Sequence, residues 1–395
     1  MVGASCALAL AGTGRSVLLI EGTAPDSLAQ PSFDERTTAL GNASRRIFET
    51  LGVWERMGTQ AAPIRAIHVS EAGRFGFARL QAAAQGIDAF GYVVANRVIG
   101  AALWSALADA TGVTLRVPAR PAAVEIAADA VTLVIDAAGT RERVQARVVV
   151  AADGAHSIVR AAAGIAASVE DYGQIALVVN VAADRSHEGI AFERFTSAGP
   201  LAVLPLADGS FTIVWTVAPE EAARLCAIGN AAFLDELQAR FGWRAGRFVR
   251  AGQRASYPLT LTRAATTVAL RTALIGNAAQ ALHPVAGQGF NLGLRDAAML
   301  AELIAAGGAD AGAAALLSRF AEWRARDRSG VIRFTDGLIK LFGDPRRSVG
   351  VLRNLGLLLF DVAPPAKSAL ARVSAGFGGP TPRLARGLGL MHARE

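Results

Sequence analysis

At 395 residues the chain is too long for one small core, so two or three domains are expected. A composition 52% hydrophobic and 18% charged excludes a disordered chain, and no apolar run approaches the roughly 20 residues of a membrane-spanning helix. Two cysteines exclude a disulfide framework and point to a reducing, cytoplasmic compartment, and the net charge of +7 sits in residues 321–395, which carry 13 basic against 6 acidic residues.

The opening "MVGASCALALAGTGRSVLLIEG" reads as a glycine turn at Gly3, an apolar helix and a strand ending on Glu21. It fits the closing half of a dinucleotide-binding βαβ unit, with Glu21 placed to accept ribose hydroxyls. The first strand and first two glycines are missing, so the natural chain is expected to begin about 8–12 residues earlier. An ordinary buried helix followed by a surface acid gives the same pattern. Next come "RTTALGNASRRIFETLGVWERM", with helical spacing at Ile47, Leu51 and Trp54, and the alternating strands of "IRAIHVSEAGRFGFARL". "GYVVANRVIGAALWSALADATGVTLRV" predicts a strand, a helix from about Asn96 and another strand, followed by a β-meander. "VVVAADGAHSIVR" predicts a buried strand ending on Asp153, which faces a ligand crevice or serves as a plain turn residue.

From about Gly164 to Ala265 short alternating strands predict an antiparallel sheet, with one helix around "AAFLDELQARFGW". The chain then returns to a buried strand and the loop of "ALIGNAAQALHPVAGQGFNLGLRDAAML", which opens a long helix from about Gly289. Glycines at 287, 289 and 293 let a flat ligand approach the backbone, and the N–H groups near Phe290 and Asn291 point at negative charge on it. His283 is a proton carrier beside that ligand or a packed residue shaping the loop. From about Ala321 the tail is helical, with breakers at Pro345 and at Pro364 and Pro365. No metal-ligand spacing and no Ser-His-Asp set occurs.

Taken together, "MVGA…LLIE", "ADGAHSIVR" and "GNAAQALHPVAGQGFNLGLRD" resemble the FAD-dependent aromatic hydroxylases of the single-component class. Within that class they most resemble the ubiquinone-biosynthesis hydroxylases, on the branch acting on 2-polyprenyl-6-methoxyphenol. The resemblance implies an α/β fold: a doubly wound FAD-binding domain, an inserted antiparallel-sheet substrate domain and a helical C-terminal tail. The expected FAD domain is discontinuous (1–66, 96–165 and 266–320), with a substrate domain at 67–95 and 166–265 and the tail at 321–395. Gly3 closes the pyrophosphate turn, Glu21 holds ribose, Arg36 reaches the phosphates, and Asn96 makes a polar contact, with Arg97 as its fallback. Asp153 lies near the pyrophosphate and Asn277 near the ribityl or phosphate oxygens. Gly287, Gln288, Gly289, Phe290 and Asn291 line the flavin ring, with Pro284 beside its reactive edge and His283 as the other catalytic candidate.

The implied activity takes FAD as cofactor, NAD(P)H as reductant and O2 as co-substrate, and hydroxylates a polyprenylated phenol. The alternatives are another ring position, an unrelated phenol, or a flavin-holding subunit of a quinone-biosynthesis complex. Nucleic acid is not an expected partner, because the basic residues are not interleaved with exposed aromatics. The basic tail is either solvated or drawn to an anionic membrane surface, placing the protein peripherally on the inner face of the cytoplasmic membrane. Arg346, Arg347 and Arg353 would supply the attraction.

Overall fold

The computed structural model describes residues 1–25, 36–282, 287–343, 346–377, 379 and 381–390. The chain opens with α1 (Val2–Leu10), buried from Ser5 to Leu10, and β1 (Val17–Ile20). Then come β2 (Thr37–Gly41), α2 (Asn42–Thr50), α3 (Trp54–Met57), β3 (Ala62–Pro63) and the hairpin β4 (Ala66–Glu71)–β5 (Phe77–Gln81). β6 (Gly91–Ala95) pairs antiparallel with β2 and β3 and runs directly into α4 (Asn96–Ala108). α4 buries Val98, Ile99, Ala102, Leu103, Ala106 and Leu107, the spacing of one apolar helix face. β7 (Val113–Arg116) lies parallel to β1, with Val17 opposite Val113. The meander β8 (Arg120–Ile126), β9 (Val131–Ala137) and β10 (Thr140–Ala146) follows, then β11 (Val149–Ala151) and α5 (Ile158–Ala162).

The next segment builds the large sheet: β12 (Ala167–Ala183), β13 (Ile190–Thr196), β14 (Gly199–Pro205), β15 (Phe211–Val217), β16 (Phe248–Ala251) and β17 (Ala255–Ala264). Two helices interrupt it rather than the single one expected: α6 (Pro219–Ala227) starts on a proline that suits a first helical turn, and extended backbone at Ile228 and Gly229 separates it from α7 (Asn230–Phe241). β18 (Val268–Ala269), β19 (Thr272–Leu274) and β20 (Gln280–Ala281) complete the strands. The sheet runs β20-β17-β12-β15-β14-β13-β4-β5, with β16 beside β12. It is antiparallel except where β4 lies parallel to β13, Phe192 opposite His68. β11 and β19 are parallel, but they form a sheet with β18 separate from β1–β7.

Four helices finish the chain: α8 (Gln288–Ala306), α9 (Ala314–Gly343), α10 (Arg347–Asp361) and α11 (Pro364–Ser374). The tail helix thus begins at Ala314, seven residues ahead of the expected Ala321, and Pro364 opens a helix instead of only breaking one. One core gathers α1, α2, α4, α8 and the start of α9, and a second packs one face of the large sheet under α6 and α7.

Candidate active site

The heads of α1 and α8 meet at the carboxyl ends of β11 and β19, the place where open α/β sheets bind ligands. Their approach depends on missing side chains. A Cβ on Gly293 would lie 2.9 Å from the Gly276 Cα, and one on Gly3 would lie 3.1 Å from the Ala152 Cβ. Gly287 takes the left-handed conformation (φ 60°) as the N-cap of α8, and being a glycine it caps the helix with no side chain. The first turn of a helix so entered presents N–H groups that favour an anion or a polarised ring. A Cβ built on Gly289 meets no atom within 4 Å, so open space lies over the head of the helix. Asn277 is exposed within a buried stretch, in the 3-10 turn Gly276–Ala278. Gln288 is buried and Phe290 half-buried, its ring 6.1 Å from that of Phe48. A helix head entered through glycine, an open glycine and an exposed amide are features that suit a flat, phosphate-bearing cofactor such as FAD, and the residues fit it.

Glu21 directly follows β1, where its carboxylate accepts the Thr23 N–H at 3.1 Å; burial lowers the pKa of the Met1 amino group, and nearby Glu21 only partly offsets that. Asp153 lies just beyond the end of β11; its carboxylate accepts the N–H groups of Ile158 and Val159 at 2.9 and 3.3 Å, so it helps cap α5. Arg36 stands over the Tyr257 ring at 4.8 Å, and its carbonyl accepts the Asn96 N–H at 2.9 Å. Asn96 is buried, its Oδ1 accepting the Thr38 hydroxyl at 2.7 Å, while neighbouring Arg97 is exposed. Gly3, Asp153, Asn277 and the 287–291 segment thus converge on one crevice, with Arg36 and Asn96 beside β2. His283 and Pro284 lie outside the described residues.

Asn291 has a role beyond lining the crevice. Its Oδ1 accepts the Gly41 N–H (2.9 Å) and the Ser44 hydroxyl (2.6 Å), and its Nδ2 donates to the Ala39 and Gly287 carbonyls (both 2.8 Å). All the hydrogen bonds its amide can make are engaged, so it ties the α8 head to β2 and α2. Sequence reasoning also missed what anchors α8 from behind. Arg324 of α9 bonds Asp296 at 2.7 Å and Asp327 at 2.6 Å, and Arg295 bonds Asp327 at 2.9 Å. Burial alone would raise the Asp327 carboxyl, but Arg295 and Arg324 outweigh it and hold it below its usual range. The available signal was the adjacent charged pair in the otherwise apolar "NLGLRDAAML".

Across the crevice lies the second face of the large sheet. His68, Phe192, Leu201, Val203, Ile213 and Trp215 point to the α6–α7 side and are fully buried. The alternate residues Ile67, Val69, Ala202, Leu204 and Val214 keep partial access. Ala39, 3.1 Å from a Cβ on Gly287, packs in the same cluster as Ile67 and Leu204. A largely apolar, partly open wall therefore stands next to the glycine loop.

The FAD binding domain family matches residues 1–335. The chain is 39% identical to ubiquinone hydroxylase UbiL of Rhodospirillum rubrum, covering 99% of this chain and 91% of that protein. It is 34% identical to 3-demethoxyubiquinol 3-hydroxylase of Escherichia coli, covering 77% of each. Among solved structures it shares the fold of the p-nitrophenol 4-monooxygenase PnpA from Pseudomonas putida DLL-E4, with a TM-score of 0.79, 19% identity and 96% of each chain covered. The chain is an FAD-dependent monooxygenase and belongs to the ubiquinone-biosynthesis hydroxylases of the FAD-dependent aromatic hydroxylase superfamily.

Proposed function

We propose that this protein hydroxylates the aromatic ring of a polyprenylated phenol in ubiquinone biosynthesis, with NAD(P)H as reductant and O2 as the oxygen source. The observation that carries this reading is the glycine-lined head of α8 opposite a half-open apolar sheet face. The names of the relatives support the pathway. FAD, when bound, supplies the redox and oxygen-transfer chemistry. The chain's own residues then divide the work. Gly287 and Gly289 admit the flat ring to the backbone, and the N–H groups at the head of α8 stabilise negative charge on it. Glu21 holds ribose, and Arg36, Asp153 and Asn277 flank the phosphates and ribityl chain. In this assignment the α/β part carries the cofactor, and the wall of the large sheet holds the substrate ring out of water.

The test is product mass. Expressed in strains lacking each quinone hydroxylase in turn, the protein is expected to restore one oxygen atom to the accumulated precursor in one of them. Restoration in none, with no phenol-dependent NAD(P)H oxidation by the purified protein, overturns the reading.

We propose further that the enzyme collects its substrate at an anionic membrane surface, on the inner face of the cytoplasmic membrane. Among the described residues no single helix is long and apolar enough to cross a bilayer, and the apolar pair α10–α11 bends through 92°. The support is a stripe on α10: Val351, Leu352, Leu355 and Leu359, with Val362 just beyond, are all exposed at one-face helical spacing. Phe75, 77% exposed at the tip of the β4–β5 hairpin, stands beside it with exposed Arg74. Arg353 does not contribute as expected. It turns inward to a buried ion pair with Glu71, because Asn354 and Arg353 fasten α10 to that hairpin. The side chain of Arg347 lies outside those described. Leu352→Glu with Leu355→Glu is expected to abolish sedimentation with anionic vesicles while sparing turnover of a short-chain, water-soluble phenol. Arg74→Gln should weaken sedimentation more at low salt than at high. Sedimentation that ignores all three changes overturns the membrane reading.

A further inference from the structure

The cofactor crevice has a wall, and that wall carries one buried carboxyl with nothing to bond. β13 alternates strictly: Phe192 and Arg194 face α7, where Arg194 bonds the Arg240 carbonyl at 3.0 Å, so Glu193 faces the other way, onto the crevice side. There it stands opposite Val69 of β4 and Ala202 of β14, both apolar. Its Oε1 is buried and has no hydrogen-bond partner among the described residues. The residue nevertheless keeps some accessible surface, as its row neighbours Val69, Ala202 and Val214 do. On the same face the Thr212 hydroxyl is likewise buried without a partner, and Asn180 lies directly across from it on β12. On this face Glu193 is flanked at one end by Phe195, stacked 3.6 Å from Phe342 of α9, and at the other by Ala191, with Leu204 and Ala39 in the same cluster. A buried acceptor left unbonded among apolar groups is costly, and such groups in native proteins call for an explanation.

We propose that Glu193 receives the phenol hydroxyl of the substrate ring, accepting its O–H and taking its proton as the ring is attacked. This rests on the hydroxylase reading and names the residue that orients the ring within it. The ring carbon takes a hydroxyl derived from O2, whose O–O bond breaks with the electrons NAD(P)H supplies and whose other oxygen leaves as water. In the same step the phenol O–H bond breaks, its electron pair becomes the ring C=O, and the proton passes to the Glu193 carboxylate. Loss of the ring C–H proton then restores the aromatic ring, and the original phenol oxygen regains its proton from Glu193 while the new hydroxyl keeps its own. Thr212, one row along the sheet, is placed to bond a second oxygen substituent on the same ring.

Burial raises the Glu193 carboxyl to about 7, so it changes charge near neutrality instead of staying ionised as a surface glutamate does. On the elements around this face Glu71 pairs with Arg353, Asp336 with Lys340, Asp361 with Lys367, Arg328 bonds the Ala264 and Ala279 carbonyls, and Arg36 stacks on Tyr257. Arg194 belongs to the opposite face, where it reaches Ser70.

The test uses the FAD-loaded protein without reductant and a 4-nitrophenol bearing one short isoprenoid chain, whose anion is coloured. In the wild type the Glu193 carboxylate opposes a second negative charge, so the bound probe should ionise at higher pH than the free probe. Glu193→Gln should reverse that shift and weaken binding of the neutral phenol about tenfold or more, since a bond to a charged acceptor is lost. Thermal unfolding provides the folding control. The raised carboxyl disfavours the folded wild type progressively as pH rises from about 4.5 to about 7, so the Gln variant should be at least as stable as wild type above pH 7. A folded Gln variant that binds the probe with unchanged affinity and unchanged ionisation overturns the assignment while leaving the hydroxylase reading standing. Absence of probe binding and of phenol hydroxylation in the wild type overturns both.

Discussion

Arg324→Met is expected to destabilise the protein by about 3–5 kcal/mol, read as a lower midpoint in urea or thermal unfolding, because it leaves buried acids without their cation. Arg324 is buried between α8 and α9, and it is the only guanidinium among the described residues that bonds both Asp296 and Asp327. After the change Asp296 keeps only the Gln280 amide, at 2.9 Å, and Asp327 keeps Arg295. A methionine replaces the volume of the side chain but not its charge, so packing loss contributes little to the expected effect. Arg324→Met combined with Asp296→Asn should recover part of the loss, since no uncompensated charge then remains at that position. The consequence for function runs through α8. The ion pairs clamp the helix whose first turn forms the cofactor crevice, so flavin retention should fall along with stability. An Arg324→Met protein that unfolds at the wild-type midpoint would show that the network adds nothing to the fold.

Gly289→Val should do the opposite: leave the fold and remove the cofactor. Gly289 sits in the first turn of α8 with helical backbone, and its built Cβ meets nothing within 4 Å. Valine has a better helix propensity than glycine, so the stability of the cofactor-free protein should stay within about 0.5 kcal/mol of wild type. The branched side chain nevertheless fills the space over the helix head, and FAD retention and hydroxylation should both fall at least about 100-fold, a loss of about 2.7 kcal/mol or more. Flavin absorbance of the purified protein and melting of the cofactor-free form separate the two quantities. Gly293→Val is the contrast. Its Cβ would press on the Gly276 Cα at 2.9 Å and on Val2 at 3.0 Å, both within the protein, so that variant should lose stability even without cofactor. If Gly289→Val holds flavin as the wild type does, the open space is not where the ring lies.

What the sequence determined by itself was local. Apolar spacing in "NRVIGAALWSALA" specified α4 to the residue at Asn96, and "AGQGFNLG" specified a helix from about Gly289, which begins at Gln288; its left-handed N-cap at Gly287 came only from the structure. The strands read as ending on Glu21, Asp153 and Gly276 stop slightly earlier, at Ile20, Ala151 and Leu274, but their existence was legible because a polar or glycine residue closing an apolar run is a property of neighbouring residues. What side chains do across the fold was not legible. Asn291 read as part of a ring-lining segment, yet its amide is spent on Ala39, Gly41 and Ser44, some 250 residues earlier in the chain. Arg353 read as a surface cation, yet Glu71, 282 residues away, takes it inward. Strand alternation shows that Glu193 and Phe192 point to opposite faces, but only the placement of α6 and α7 on one side decides which of them is left on the crevice. The physical reason is the same in each case. Backbone conformation follows from torsional preference and hydrophobic period within a few residues, whereas the worth of a buried polar group is set by the partner it finds, and that partner is supplied by a chain segment brought near only when the whole fold closes.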